Sequence, residues 1–252
     1  MESRNKIVKF CEDYLKVKDF TDYCHNGLQV EGSEEINKII TGVSFSRKLI
    51  EKANPPTGGK KAQMIIVHHG IFGNQIPSPL QLKGIVKNRI KLILENDINL
   101  CGFHLPLDAH PIIGNNILLC KLLGVKKVKP FDVGFIGELD RQVDFKKFVD
   151  LVNKKLGVQS FVLENGKKQI KKAAIISGGS SPDFEKAARL GADVYICGDI
   201  REEVVRGTEE AGINLINAGH YNTEKLGIQN LGKLIAKKFK VKVEFVDIPC
   251  EV

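Results

Sequence analysis

No two cysteines in this chain form a C-x-x-C pair. The six present (Cys11, Cys24, Cys101, Cys120, Cys197 and Cys250) are widely scattered, which excludes a disulfide framework and a structural zinc ribbon. Cys101 and Cys197 fall in apolar strand patterns, where a thiol serves as a small hydrophobe. Long apolar runs are also missing, and none approaches the roughly 18 residues of a membrane span. The charged start, Met1 to Lys9, leads into a helical pattern and not into the apolar core of a signal peptide. A soluble, cytoplasmic protein with no membrane partner is expected. No helix-turn-helix, RRM or zinc-finger pattern occurs, so any binding to nucleic acid should ignore sequence.

What the chain does have is a repeat. Ile98-Asn99-Leu100 runs into His104-Leu105-Pro106-Leu107-Asp108, and Ile213-Asn214-Leu215 runs into His220-Tyr221-Asn222-Thr223-Glu224. Each copy has a histidine four residues before a carboxylate, then a Gly-led apolar helix pattern (Gly114 to Leu123, Gly227 to Ala236). Upstream, Ile39-Ile40-Thr41-Gly42 and Met64-Ile65-Ile66-Val67 match Ile175-Ile176-Ser177-Gly178 and Val194-Tyr195-Ile196-Cys197. The order strand, helix, strand, loop, helix, strand, His-x-x-x-acid, helix is given twice. A chain of 252 residues can hold two small domains, and two copies imply two lobes and not a solenoid. The fold class expected is α/β: two similar lobes from an internal duplication, 1–130 and 131–252, with a metal site between them.

Several motifs mark the ends of these elements. Residues 6 to 18 predict an amphipathic helix with Ile7, Val8, Cys11 and Leu15 inward. His25 to Gly32 reads as a loop turned by Asn26-Gly27, with His25 in solvent. Adjacent strand residues face opposite ways, so His68 and His69 can reach one cluster only where the strand ends, and Gly70 supplies that turn. Ligands of open α/β sheets bind beyond the carboxyl ends of strands, which is this position. His220 and Glu224 share a face if the segment is helical, whereas Thr223-Glu224 could instead cap the next helix. Asp108 is the matching acid of the first copy. His104 is the matching imidazole, set behind the ligands because Pro106 alters the backbone there. The segment Gly178-Gly179-Ser180-Ser181-Pro182-Asp183 lacks the Gly-Lys-Ser/Thr ending of a P-loop. It is either a phosphate cradle or a turn with Ser181 as N-cap and Pro182 in the first helical position.

The net charge is +8, with lysines gathered at Lys126-Lys127-Val128-Lys129, Lys167-Lys168 with Lys171-Lys172, and Lys237 to Lys242. Such an excess is either a solvated surface or a polyanion-binding face.

At His25 to Gly32, Val67-His68-His69-Gly70, His104 to Asp108, Gly178-Gly179-Ser180, Gly198-Asp199 with Glu202, and Ala218 to Glu224, the chain resembles the GTP cyclohydrolase I type 2 homologue family, also called Nif-three-like. These motifs cover nearly the whole length. The resemblance implies two divalent metal ions per subunit, with His68, His69, Asp108, His220 and Glu224 as ligands. It further implies a toroidal homohexamer, in a short form without the domain some members insert. The chain lacks the Cys/His zinc pattern of GTP cyclohydrolase I itself. Hydrolysis of a nucleotide-like or phosphate-bearing small molecule is the activity expected, with His104 as the catalytic group. Mixed nitrogen and oxygen ligands suit zinc, iron, manganese, cobalt or nickel. The alternative is a basic hexameric ring that holds single- and double-stranded DNA through its phosphates.

Overall fold

In the computed structural model the described residues are 1–55, 59–73 and 81–250. The described residues of Met1–Leu107 and Gly227–Ile248 form one compact unit, and those of Asp108–Leu226 with Pro249 and Cys250 form a second.

The first unit is built on a five-stranded sheet in the order Lys242–Phe245, Lys38–Ser44, Met64–His69, Asn99–Gly102, Gly27–Val30. The first four strands are parallel and the last is antiparallel. Lys38–Ser44 and Met64–His69 are almost continuously buried, as expected of strands covered on both faces by crossover helices. Helices Arg47–Ala53 and Gly84–Glu95 make those crossovers. Ile40, Phe45, Leu49, Ile65, Val67 and Leu100 pack into one cluster beneath them.

Two sequence expectations are adjusted here. The N-terminal helix spans Arg4–Tyr14 and buries Ile7, Cys11 and Leu15, but it stops before residue 18, and Lys16 takes a left-handed φ of 54°. The supposed loop from His25 to Gly32 contains the strand Gly27–Val30, paired with Asn99–Gly102. The sheet edge offers that segment backbone partners that local turn chemistry does not reveal. The turn at Asn26-Gly27 is present, with Gly27 at φ 115°.

The second unit holds a six-stranded sheet: Lys126–Phe131, Gly134–Asp144, Gln169–Ile175, Val194–Cys197, Asn214–Asn217, Phe161–Leu163. Gln169–Ile175, Val194–Cys197 and Asn214–Asn217 are parallel, and Phe161–Leu163 closes the edge antiparallel. The first unit has the same pattern, in which a strand met earlier in the chain returns as the antiparallel edge beside the third parallel strand. Helices Phe184–Arg189 and Glu202–Ala211 occupy the places of the first unit's crossovers. The topology is therefore given twice, in an α/β fold.

The units are drawn differently from the halves 1–130 and 131–252. Ile117, Leu119, Cys120 and Leu123 of helix Asn115–Leu123 share a core with Phe135, Ile175 and Ile196. Strand Lys126–Phe131 pairs with Gly134–Asp144. Both elements thus belong with the second sheet. Conversely, Lys242–Phe245 pairs with Lys38–Ser44 and belongs to the first unit.

Candidate metal centre

In the first unit the strand Met64–His69 ends on the two adjacent histidines, and their ring centroids lie 4.6 Å apart. Gly70 makes the convergence possible. A Cβ there would collide with the Gln29 amide, whose Oε1 accepts the Ile71 N–H at 2.7 Å and so pins the turn. His68 is 1% exposed, and its Nδ1 lies 2.8 Å from the Phe103 carbonyl oxygen. A carbonyl only accepts, so Nδ1 carries the proton and Nε2 carries the lone pair. His69 Nδ1 lies 3.1 Å from Ser44 Oγ.

His104 joins this pair, its ring centroid 5.1 Å from that of His68 and 5.7 Å from that of His69. Ligand atoms of the three imidazoles fall close enough together to hold one ion. What the sequence reading missed is the group behind His104. Asp22, whose side chain is 3% exposed, lies 3.0 and 3.2 Å from His104 Nδ1 through its two oxygens. It also accepts from the Cys24 N–H at 3.0 Å, Asn26 Nδ2 at 2.9 Å and the Leu105 N–H at 3.0 Å. Burial by itself would raise the Asp22 carboxyl. The hydrogen bonds from His104, Asn26 and the Cys24 backbone outweigh it and hold the group well below the usual carboxylate range. Asp22 is therefore ionised, and His104 Nδ1 carries the proton that its carboxylate accepts, which turns Nε2 to the opposite side of the ring. No local motif signals this contact, because 82 residues separate the partners. His25 is exposed, with Nε2 3.2 Å from the Leu28 carbonyl oxygen, and belongs to the turn.

The last long helix begins at His220, in the second unit, and runs to Phe239, so it starts seven residues before the Gly227 that the pattern suggested. His220 and Glu224 thus occupy one helical face, with Nε2 to Oε2 at 3.2 Å. Glu224 is 3% exposed and lies a full turn inside the helix, so it does not serve as a cap. Thr223 ties the helix to the neighbouring loop: its Oγ1 accepts the Gly178 N–H at 3.1 Å. Asp108 is 4% exposed, and its Oδ1 accepts from Asn115 Nδ2 at 2.8 Å and Ser177 Oγ at 3.1 Å. Those two donors are neutral, so neither balances the carboxylate's charge as a cation would.

The Gly178 loop serves this cluster. At φ 63°, Gly178 passes so close that a Cβ would collide with Glu224 Oε1 and sit 3.1 Å from His220 Nε2. Of the two readings of this loop, the turn is present without its cap: a short 3-10 turn, Ser181–Asp183, has Pro182 in its first positions, but no side chain caps it and Ser181 is buried. The cysteines behave as expected, all buried except Cys250. Burial pushes the Cys101 and Cys120 thiols up to about 12, so neither supplies a thiolate near neutral pH. Among the described residues no helix is long and apolar enough to cross a membrane.

The residues fit a divalent cation. Imidazoles with one nitrogen pinned to a carbonyl or carboxylate are oriented as metal-ligating histidines usually are, and the glycine cradle at Glu224 admits no side chain. Fold and donor groups together define a two-unit α/β protein with histidine–carboxylate clusters suited to metal.

The chain belongs to the family described as Duf34/NIF3 (NGG1p interacting factor 3), which matches residues 2–251. It is 41% identical over 240 residues to the GTP cyclohydrolase 1 type 2 homolog of Haemophilus influenzae, covering 93% of each chain. Among solved structures, TTHA1606 from Thermus thermophilus superposes with a TM-score of 0.87 at 30% identity over the whole of both chains. The structural-genomics protein ybgI, of unknown function, gives a TM-score of 0.93 at 34% identity over the whole of both.

Proposed function

We propose that the protein is a dinuclear divalent-metal hydrolase acting on a nucleotide-like or phosphate-bearing small molecule. Its ligands are His68, His69, Asp108, His220 and Glu224, with two ions per subunit. The observation that carries this reading is the buried His68, whose proton is committed to the Phe103 carbonyl, which puts the lone pair on Nε2 beside His69. Bound divalent ions would supply a water of lowered pKa and a clamp for an oxyanion. Two such ions outweigh the two carboxylates in charge, so anionic groups are favoured.

His104 is assigned the proton. Asp22 fixes its Nδ1–H, leaving Nε2 as the acceptor that takes a proton during hydrolysis. Family resemblance adds assembly as a hexameric ring. A DNA-binding ring receives less support. Lys126 is paired with Asp140 at 2.7 Å, Lys167 with Asp193 at 2.8 Å, and Lys127 lies 3.9 Å from Glu138. Part of the lysine excess is therefore balanced by nearby acids.

The test is elemental analysis of protein purified without chelator, followed by a hydrolysis screen across nucleotides and phosphate esters with and without added metal. Two ions per chain and metal-dependent release of product are expected. Protein that purifies without metal and fails to take up zinc, iron, manganese, cobalt or nickel refutes the reading.

A further inference from the structure

A cavity of about 560 Å³ opens in the second unit between strand Gly134–Asp144 and helix Phe145–Leu156. The backbone makes room for it. Strand Gly134–Asp144 pairs with Gln169–Ile175, yet the register steps from Val143 opposite Ile170 to Glu138 opposite Lys172. The four residues Leu139 to Gln142 therefore face Lys171 alone, and the strand bulges outward. Asp193 Oδ2 accepts the N–H groups of both Lys171 and Lys172 at 2.9 Å, which engages donors that a regular ladder would share with that stretch. The cavity borders Gln169, at the start of its strand, whereas the Gly178 loop follows the strand's far end. The seven residues of Gln169–Ile175 span roughly 20 Å, so the cavity stands apart from the cluster around Glu224.

The wall divides by chemistry. Leu123, Leu139 and Phe148 supply a floor that belongs to the core of the unit, with Val143 and Leu151 packed against it. Arg141 and Lys147 stand exposed at the rim. Among the described residues, neither cationic group has an ion-pair or hydrogen-bond partner. The two acids of the wall are already engaged. Asp140 Oδ2 lies 2.7 Å from Lys126 Nζ, and Asp144 Oδ1 accepts the Lys147 N–H at 3.2 Å as the helix N-cap. The charged groups left open at the rim are thus cationic donors above an apolar floor. An inorganic anion would not use the floor, and a hydrocarbon would not use the cations.

We propose that this cavity binds a small amphiphilic carboxylate, with its carboxyl group between Arg141 and Lys147 and its apolar tail over Leu123, Leu139 and Phe148. The guanidinium fork matches a carboxylate in geometry as well as charge. Each methylene moved from water onto the floor strengthens binding about 3- to 4-fold. The volume falls within the roughly 300–1,000 Å³ of small-molecule sites, which admits a tail of medium length. A ligand held there bridges the bulged strand and the helix, and so stabilises the second unit by mass action. The inference makes no use of the metal reading and stands or falls apart from it.

Calorimetric titration of the full chain with octanoate, butyrate, octanol and octylamine tests it. Octanoate should bind at one site per chain. Butyrate should be at least about 10-fold weaker through its shorter tail. Octanol and octylamine should each be at least about 10-fold weaker through loss of the charge-assisted hydrogen bonds. The double variant Arg141→Gln with Lys147→Gln should weaken octanoate by about 10-fold or more and leave octanol unchanged. Its urea midpoint should match the parent's, because both side chains are exposed and make no contact that the fold needs. Lys154→Gln with Lys155→Gln, at the other end of the same helix, should bind octanoate as the parent does and so controls for general attraction between charges. Absence of octanoate binding at millimolar concentration, equal affinity for octanoate and octanol, no dependence on tail length, or equal losses in the two double variants would each overturn the proposal.

Discussion

Replacing Asp22 by asparagine should cost far more than the loss of one charge suggests. Its two oxygens accept from four groups, and each oxygen faces a backbone N–H: Oδ1 that of Cys24 and Oδ2 that of Leu105, both at 3.0 Å. Asparagine has only one oxygen. Whichever way its amide turns, the NH₂ is driven against a backbone N–H that cannot rotate away. The variant thus loses a charge-assisted hydrogen bond, about 1.5–3 kcal/mol, and strands a buried donor, about 1–3 kcal/mol. A total near 3–5 kcal/mol is a large share of the 5–15 kcal/mol that holds a typical domain together. Urea unfolding is the assay, followed by far-UV circular dichroism because the chain has no tryptophan. The midpoint should fall while the slope stays constant.

The pH dependence follows from the depressed Asp22 carboxyl. A group held below its unfolded value stabilises the fold above that value, here about 4, and loses the contribution as pH falls towards the folded one. The gap between parent and variant should therefore be full at pH 7 and smaller at pH 3. In nitrogen-resolved NMR the His104 ring of the parent should show Nδ1 protonated, and the variant should mix the tautomers. A variant within about 0.5 kcal/mol of the parent at pH 7, or a gap that does not change with pH, would refute the reasoning.

Asp108→Ala and Glu224→Ala should each strip metal from the purified protein. An acid whose loss leaves two ions per chain is no ligand. His104→Ala should keep metal nearly intact while lowering hydrolysis by roughly 100-fold or more, as for loss of a general acid–base group; release of metal would make it a ligand instead. Gly178→Ala places a Cβ against Glu224 Oε1 at a left-handed φ of 63°, so metal uptake should drop together with the thermal midpoint. Unchanged uptake would mean the loop can withdraw. Light scattering should give the mass of a hexamer. If that ring holds DNA, neutralising Lys237, Lys238 and Lys240 should flatten a fall of log K with log salt of about 0.9 per duplex contact, and a parent protein with no salt response would end the nucleic-acid reading.

Much of the architecture was legible because the repeat is written in local terms. Runs such as Met64 to Val67 and Val194 to Cys197 are apolar and β-branched, and strands buried on both faces need that composition. The His-x-x-x-acid motifs were visible for the same reason, since four residues span about one helical turn. His68 and His69 needed only the neighbouring glycine to suggest convergence.

Other features were decided by partners distant in the chain. Gly27–Val30 became a strand because Asn99–Gly102 presents an open edge, and the helix from His220 began early because Thr223 is anchored to Gly178. The compact units depart from the halves of the sequence for a similar reason. Strand pairing assigns Lys126–Phe131 to one sheet and Lys242–Phe245 to the other, whatever their order along the chain. Asp22 is the sharpest case. Its role behind His104 depends on a hydrogen bond across 82 residues, and a carboxylate in a loop carries no local mark of which imidazole it will meet. Sequence by itself determined the kinds of groups present and their spacing within a turn or a strand end. Tertiary structure alone decided which nitrogen of His68 and of His104 holds the proton, because that depends on the acceptor folded against it.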